Sequence, residues 1–166
     1  MRTGDFPQPR SVLIGLGSNQ GDRVYNLRLA VSQIRKCVAI VRVSSHFESE
    51  PIDCPKGAAD FLNMVVVGHV SASASDLLEK LQQIEASMGR RRTVANSPRA
   101  IDLDLILYGS ELRRDAWLVL PHPRYRTREF VLRPFRELGL RWHDPAGHGQ
   151  IAQLQGQGVV VRFHRS

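Results

Sequence analysis

At 166 residues, with 42% apolar and 23% charged side chains, the chain is long enough for one domain with a real core, and no apolar run approaches membrane-spanning length. Its formal charge is +7, and only Lys36, Lys56 and Lys80 among the 23 basic residues are lysines. An arginine excess of this kind suits planar, bidentate recognition of phosphate, whether on a nucleotide or on a nucleic acid. Residues 1–10 lack the apolar stretch of a signal peptide and read as a disordered lead-in, leaving 11–166 as a single domain in a protein expected to be cytoplasmic. Ser11-Val12-Leu13-Ile14-Gly15-Leu16 reads as a first, buried strand. The turn-rich Gly17-Ser18-Asn19-Gln20-Gly21-Asp22 follows, with Asp22 as a helix N-cap. Val24, Leu27, Val31, Ile34 and Val38 recur at helical spacing and predict a first amphipathic helix. Two strand-like runs, 39–50 and 61–70, are joined by a loop over 51–57. Asp76 and Glu79 offer a capping box for a second helix, with the stripe Leu77, Leu81, Ile84 and Met88 and a stop at Gly89. A strand over 101–108 comes next, ended by Gly109. The order βαββαβ predicts an α+β, ferredoxin-like antiparallel sheet with both helices on one face. A C-terminal extension adds a Pro-rich segment and a third helix near 127–138. The Gly- and Gln-rich tail beyond Trp142 carries no clear signal.

The chemistry concentrates in Pro98-Arg99-Ala100-Ile101-Asp102-Leu103-Asp104-Leu105-Ile106-Leu107-Tyr108. Strict alternation puts Ile101, Leu103, Leu105 and Leu107 on one side, and Asp102, Asp104, Ile106 and Tyr108 on the other. Carboxylates two apart on a strand share a face with Cα atoms roughly 6.5–7 Å apart, close enough to hold one pair of hard cations. Taken alone, two such acids fit the solvent face of an antiparallel sheet equally well. Like charges side by side favour a cation between them, and the arginines of Gly89-Arg90-Arg91-Arg92 upstream favour phosphate. Other phosphate motifs fail. The third glycine of Gly15-Leu16-Gly17-Ser18-Asn19-Gln20-Gly21 falls one position late for a dinucleotide fingerprint, and no Walker A or kinase catalytic sequence occurs. ATP would have to be held by arginines, backbone and metal. Cys37 and Cys54 form no metal or redox motif.

In order along the chain stand Leu16-Gly17-Ser18-Asn19, Asp60-Phe61-Leu62-Asn63, Gln82-Gln83-Ile84-Glu85 and Gly89-Arg90-Arg91-Arg92. They lead to Pro98-Arg99-Ala100-Ile101-Asp102-Leu103-Asp104, Pro121-His122-Pro123 and Arg128-Glu129-Phe130-Val131-Leu132-Arg133-Pro134. This ordered set resembles the 6-hydroxymethyl-7,8-dihydropterin pyrophosphokinases of folate biosynthesis, over about residues 12–138. The resemblance implies a ferredoxin-like enzyme that moves the β,γ-diphosphate of ATP to the pterin hydroxymethyl group and releases AMP. It implies that Asp102 and Asp104 bind two Mg²⁺ ions and that Arg90 and Arg92, in a mobile loop, grip the phosphates. It further implies that Gln82, Glu85, Arg99, His122 and Arg128 line the ATP site. Phe61 and Phe130 would sandwich the pterin ring, Asn63 would hydrogen-bond it, and Ser49, Pro51 and Ile52 would complete its pocket. The partners expected are these two small molecules, with no nucleic acid or membrane, and the protein is expected to be a monomer.

The sequence also departs from the family pattern. Ala95-Asn96-Ser97 stands where many members carry Arg-Trp, in a loop about one residue shorter. Pro123 replaces a common aromatic, and Trp117 a basic residue. Altered kinetics, rather than lost function, are expected. The rival reading, an RNA-binding ferredoxin-like module, expects aromatics on the central strands; the first strand has none, and Asp102 and Asp104 would repel a phosphate backbone.

Overall fold

The computed structural model describes residues 9–51, 57–89 and 100–164. In chain order these form β1 (Arg10–Ser18), α1 (Arg23–Ile34), β2 (Ala39–Val43), β3 (Phe47–Ser49), β4 (Phe61–Val70), α2 (Ala74–Ser87) and β5 (Asp102–Tyr108). There follow a short hairpin of β6 (Arg113–Arg114) and β7 (Val119–Leu120), then α3 (Glu129–Glu137) and β8 (Val160–Arg162). The main sheet runs β5-β1-β4-β3-β8, antiparallel throughout, with β2 also paired to β4. The first strand starts one residue inside the stretch read as a lead-in, because Arg10 already pairs with Val70.

β1 and β4 are apolar on both faces because both faces are covered. On one side Ile14, Leu16, Leu62, Met64, Val66, Leu103 and Leu105 pack with Leu27 and Ile34 of α1 and with Leu77 and Leu81 of α2. On the other, Leu13, Val65, Val67, Ile106 and Leu107 pack under Val131, Leu132 and Phe135 of α3. The first two helices therefore share a face, as the sequence order predicts, while the third roofs part of the opposite face.

Local chemistry sets the element ends. Asp22 caps α1 by accepting from the Tyr25 N–H at 2.9 Å. The helix stops at Ile34, and Val38 joins the core through a following turn, in which its N–H donates to the Ile34 carbonyl at 2.9 Å. The capping box of α2 pairs Ser73 with Asp76, three residues upstream of the predicted pair; Glu79 instead accepts from Gln83. The run 39–50 is two strands, broken where the Ser44 hydroxyl takes the Val65 N–H at 3.0 Å in place of a ladder partner. The alternation predicted for β5 holds through Ile106 and breaks at Leu107. Its register against β1 shifts between Leu13 and Ile14, so Leu107 joins Ile106 under α3 and Tyr108 turns toward α2. A one-residue bulge re-aims every side chain beyond it. No described helix is long and apolar enough to cross a membrane.

Candidate active site

Near one end of the sheet, on the face that α3 covers in part, the register lines up a row across four strands. Asp102 of β5 lies opposite Gly17 of β1, Gly17 opposite Asn63 of β4, and Asn63 opposite Phe47 of β3. The next row sets Asp104 opposite Gly15, and Gly15 opposite Val65. Each aspartate thus looks across a strand position with no side chain. A Cβ on Gly17 would come within 3.2 Å of Asn63 Oδ1 and 3.5 Å of the Phe61 ring, and one on Gly15 within 3.5 Å of Ile106. The glycines keep a bare backbone floor between the carboxylates and the Asn63 side of the site.

Asn63 is buried, and its orientation is fixed. Its amide nitrogen donates to Ser49 Oγ at 2.8 Å, which turns Oδ1 toward Gly17 as an acceptor at the edge of the floor. Ser49 is itself buried, and Pro51, two residues beyond it, is half-buried. Phe61 and Phe130 are both partly buried: Phe61 stands beside Gly17, and Phe130 on the first turn of α3, against the cluster beneath that helix.

On the opposite side, Arg128 Nη1 lies 3.2 Å from Asp104 Oδ2, and the guanidinium sits over the Phe130 ring at 5.3 Å from its centroid. Burial pushes the Arg128 pKa down despite the Asp104 carboxylate, so this cation is held partly out of water. His122 is pushed from 6.5 to about 4, first by burial and then by Arg128 and Arg124. The neutral ring accepts the Arg124 N–H at Nδ1, at 3.3 Å, which assigns the ring proton to Nε2. A neutral Nε2–H donor beside two guanidiniums suits a phosphate oxygen.

Glu85 and Gln82 part company. Gln82 is exposed on α2, whereas Glu85 is 2% exposed, and its Oε1 accepts the Leu103 N–H at 2.7 Å, between the two aspartates. Arg90, Arg92, Arg99 and Ile52 lie outside the described residues. Among the described residues no group of three or more His, Cys, Asp or Glu side chains gathers to hold a metal. Two carboxylates fit Mg²⁺ nevertheless, since this ion takes one or two from protein and fills its other positions with water and substrate phosphate. Sequence reasoning missed the glycine floor and Arg124; the glycines two apart in an otherwise apolar strand were the available signal.

The model of the family described as 7,8-dihydro-6-hydroxymethylpterin-pyrophosphokinase matches residues 13–139. The chain is 37% identical over 153 residues to the 2-amino-4-hydroxy-6-hydroxymethyldihydropteridine pyrophosphokinase of Synechocystis sp., covering 90% of this chain and 77% of that one. It is 42% identical over 127 residues to the Bacillus subtilis protein of the same name, covering 75% of each. A solved structure of wild-type Plasmodium falciparum HPPK-DHPS superposes with a TM-score of 0.70 at 14% identity, over 89% of this chain and 44% of that one. That likeness speaks for the fold alone, and this chain spans less than half of that longer one.

Proposed function

The chain belongs to the 7,8-dihydro-6-hydroxymethylpterin-pyrophosphokinase family, and from that premise we propose how its residues carry out ATP-dependent diphosphate transfer in folate biosynthesis. The observation that carries the reading is the row Asp102–Gly17–Asn63, with Arg128 against Asp104 in the next row. It offers a cation-holding pair between a phosphate-binding side and an amide-bearing side.

The pterin lies by Asn63, whose Oδ1 accepts from a ring N–H, with Phe61 and Phe130 on its faces and Ser49, Pro51 and Ile52 completing the pocket. The polyphosphate of ATP lies along Asp102 and Asp104. Arg128 and the neutral His122 donate to its oxygens, with Gln82, Glu85 and Arg99 toward the nucleotide and Arg90 and Arg92 closing from their loop. Two Mg²⁺ ions held by Asp102 and Asp104 would neutralise charge on the phosphates as it shifts. The hydroxymethyl oxygen forms a bond to the β-phosphorus as the bond from that phosphorus to the oxygen bridging it to the α-phosphate breaks, the hydroxyl proton passes to water, and AMP leaves. Such transition states ask for positioning and charge neutralisation more than covalent help. Each of these side chains is accordingly a binder or a donor. A single domain acting as a cytoplasmic monomer on these two small molecules completes the reading.

The test is direct. Purified protein is incubated with ATP, Mg²⁺ and 6-hydroxymethyl-7,8-dihydropterin, and nucleotides are separated by chromatography. AMP should appear in step with pterin diphosphate. ADP in its place, or no AMP, overturns the reading.

A further inference from the structure

The tail beyond residue 139, past the end of the family match, returns to the site. It lies across the start of α3. The Gln157 N–H donates to the Thr127 carbonyl at 2.8 Å, and the Glu129 N–H donates to the Gln157 carbonyl at 3.3 Å. The Gly156 N–H donates to Glu129 Oε2 at 3.0 Å. Arg136 fixes the same segment: Nη1 donates to the Leu154 carbonyl at 2.8 Å while Nη2 pairs with Glu129 Oε1. No side chain caps α3, so the Gln157 carbonyl takes one of the helix's first-turn N–H groups. Downstream the tail is anchored again, where β8 pairs with β3 and Val160 faces Ser49.

Gly156 is where this contact is tightest. A Cβ there would lie 2.3 Å from the Glu129 nitrogen and 2.7 Å from both Arg128 C and Glu129 Cα. All three are backbone atoms with no rotamer to yield. Any side chain must therefore lift the tail or push the Arg128–Glu129 peptide. Arg128 carries the guanidinium that meets Asp104 and covers Phe130.

We infer that residues 154–157 form a tie that sets the backbone from which Arg128 reaches the ATP side of the site, with Gly156 as its positioning residue. The inference rests on the pyrophosphokinase reading for its activity readout. The experiment compares wild type, Gly156→Ala, Arg128→Ala and the double variant. Gly156→Ala should lower kcat/KM for ATP at least tenfold and leave the pterin KM within threefold. The double variant should be no worse than Arg128→Ala alone, because the tie acts through that residue; losses that simply multiply, or an unaffected Gly156→Ala, overturn the tie. Should Gly156→Ala fail to fold, Glu129→Ala removes the Gly156 acceptor without adding volume, and the same cycle must hold with it. Should wild type form no AMP, the functional reading fails. The tie is then judged from the affinity of the four proteins for α,β-methylene-ATP with Mg²⁺ by calorimetry, where additive losses or no binding by wild type overturn it.

Discussion

Asp102 and Asp104 are half-exposed while their strand neighbours Leu103 and Leu105 are 5% and 3% exposed, so chemistry and packing fall to different residues of one strand. Asp102→Ala and Asp104→Ala should each keep the fold by circular dichroism. Each should cut kcat by roughly 10²–10⁴-fold, the equivalent of several kcal/mol of charge stabilisation. Near-normal turnover in either variant rules out the metal assignment. His122 makes a separate claim. Its pKa of about 4, against an ordinary 6.5, comes first from burial, which disfavours the charged ring, and then from Arg128 and Arg124. In a titration of histidine C2–H resonances, one signal should move near pH 4, vanish in His122→Gln and shift upward in Arg128→Ala. The sign for stability follows from the depressed value. Neutral His122 adds stability that is full above pH 6.5 and is lost as pH falls through 4, because the unfolded chain binds the proton more readily. Wild type should therefore lose more thermal stability between pH 7 and 4.5 than His122→Gln does. An equal loss removes His122 from the account.

β5 is an edge strand of the sheet, and among the described residues no strand pairs along its outer side, so its outward N–H groups need other partners. Glu85 of α2 supplies one by accepting the Leu103 N–H, and so holds the strand at the point between its two carboxylates. Glu85→Leu strands that buried N–H and should cost about 1–3 kcal/mol in denaturant unfolding. Glu85→Gln keeps a carbonyl acceptor and should cost less. The contact with the nucleotide proposed for Glu85 is read separately, since Gln should raise the ATP KM while keeping the acceptor for Leu103, and the two roles separate in one pair of variants. The burial of Glu85 was legible in principle, since it continues the i, i+4 line of Leu77 and Leu81, but its charge argued for the surface. The helices and β5 as far as Ile106 were readable because local periodicity dictated them. The bulge beyond Leu105 was not, because it arises from register against β1 rather than from β5 itself. Nor was β8, because the three residues Val160–Arg162, just after a Gly- and Gln-rich stretch, become a strand only once β3 offers an edge.

Over the whole molecule the charge is +7, yet the site centres on two carboxylates. The surrounding arginines attract a polyanion, and Asp102 and Asp104 resist it until cations lie between them. Nucleotide and Mg²⁺ should therefore bind as a unit. A ligand specific for the folded state adds RT ln(1 + [L]/Kd), about 2.7 kcal/mol at a hundredfold excess over Kd. For a chain of this length each kcal/mol raises Tm by about 2–4 °C, so ATP with Mg²⁺ should raise it by about 5–10 °C. ATP with EDTA, or Mg²⁺ alone, should do little, and Asp102→Ala should erase the joint effect. The same measurement tests the RNA-binding alternative, which demands a metal-independent shift with a single-stranded oligonucleotide that fades steeply as salt rises. An equal ATP shift with and without EDTA would mean that the arginines bind the phosphates unaided, and that the aspartate pair is only the wet face of an edge strand.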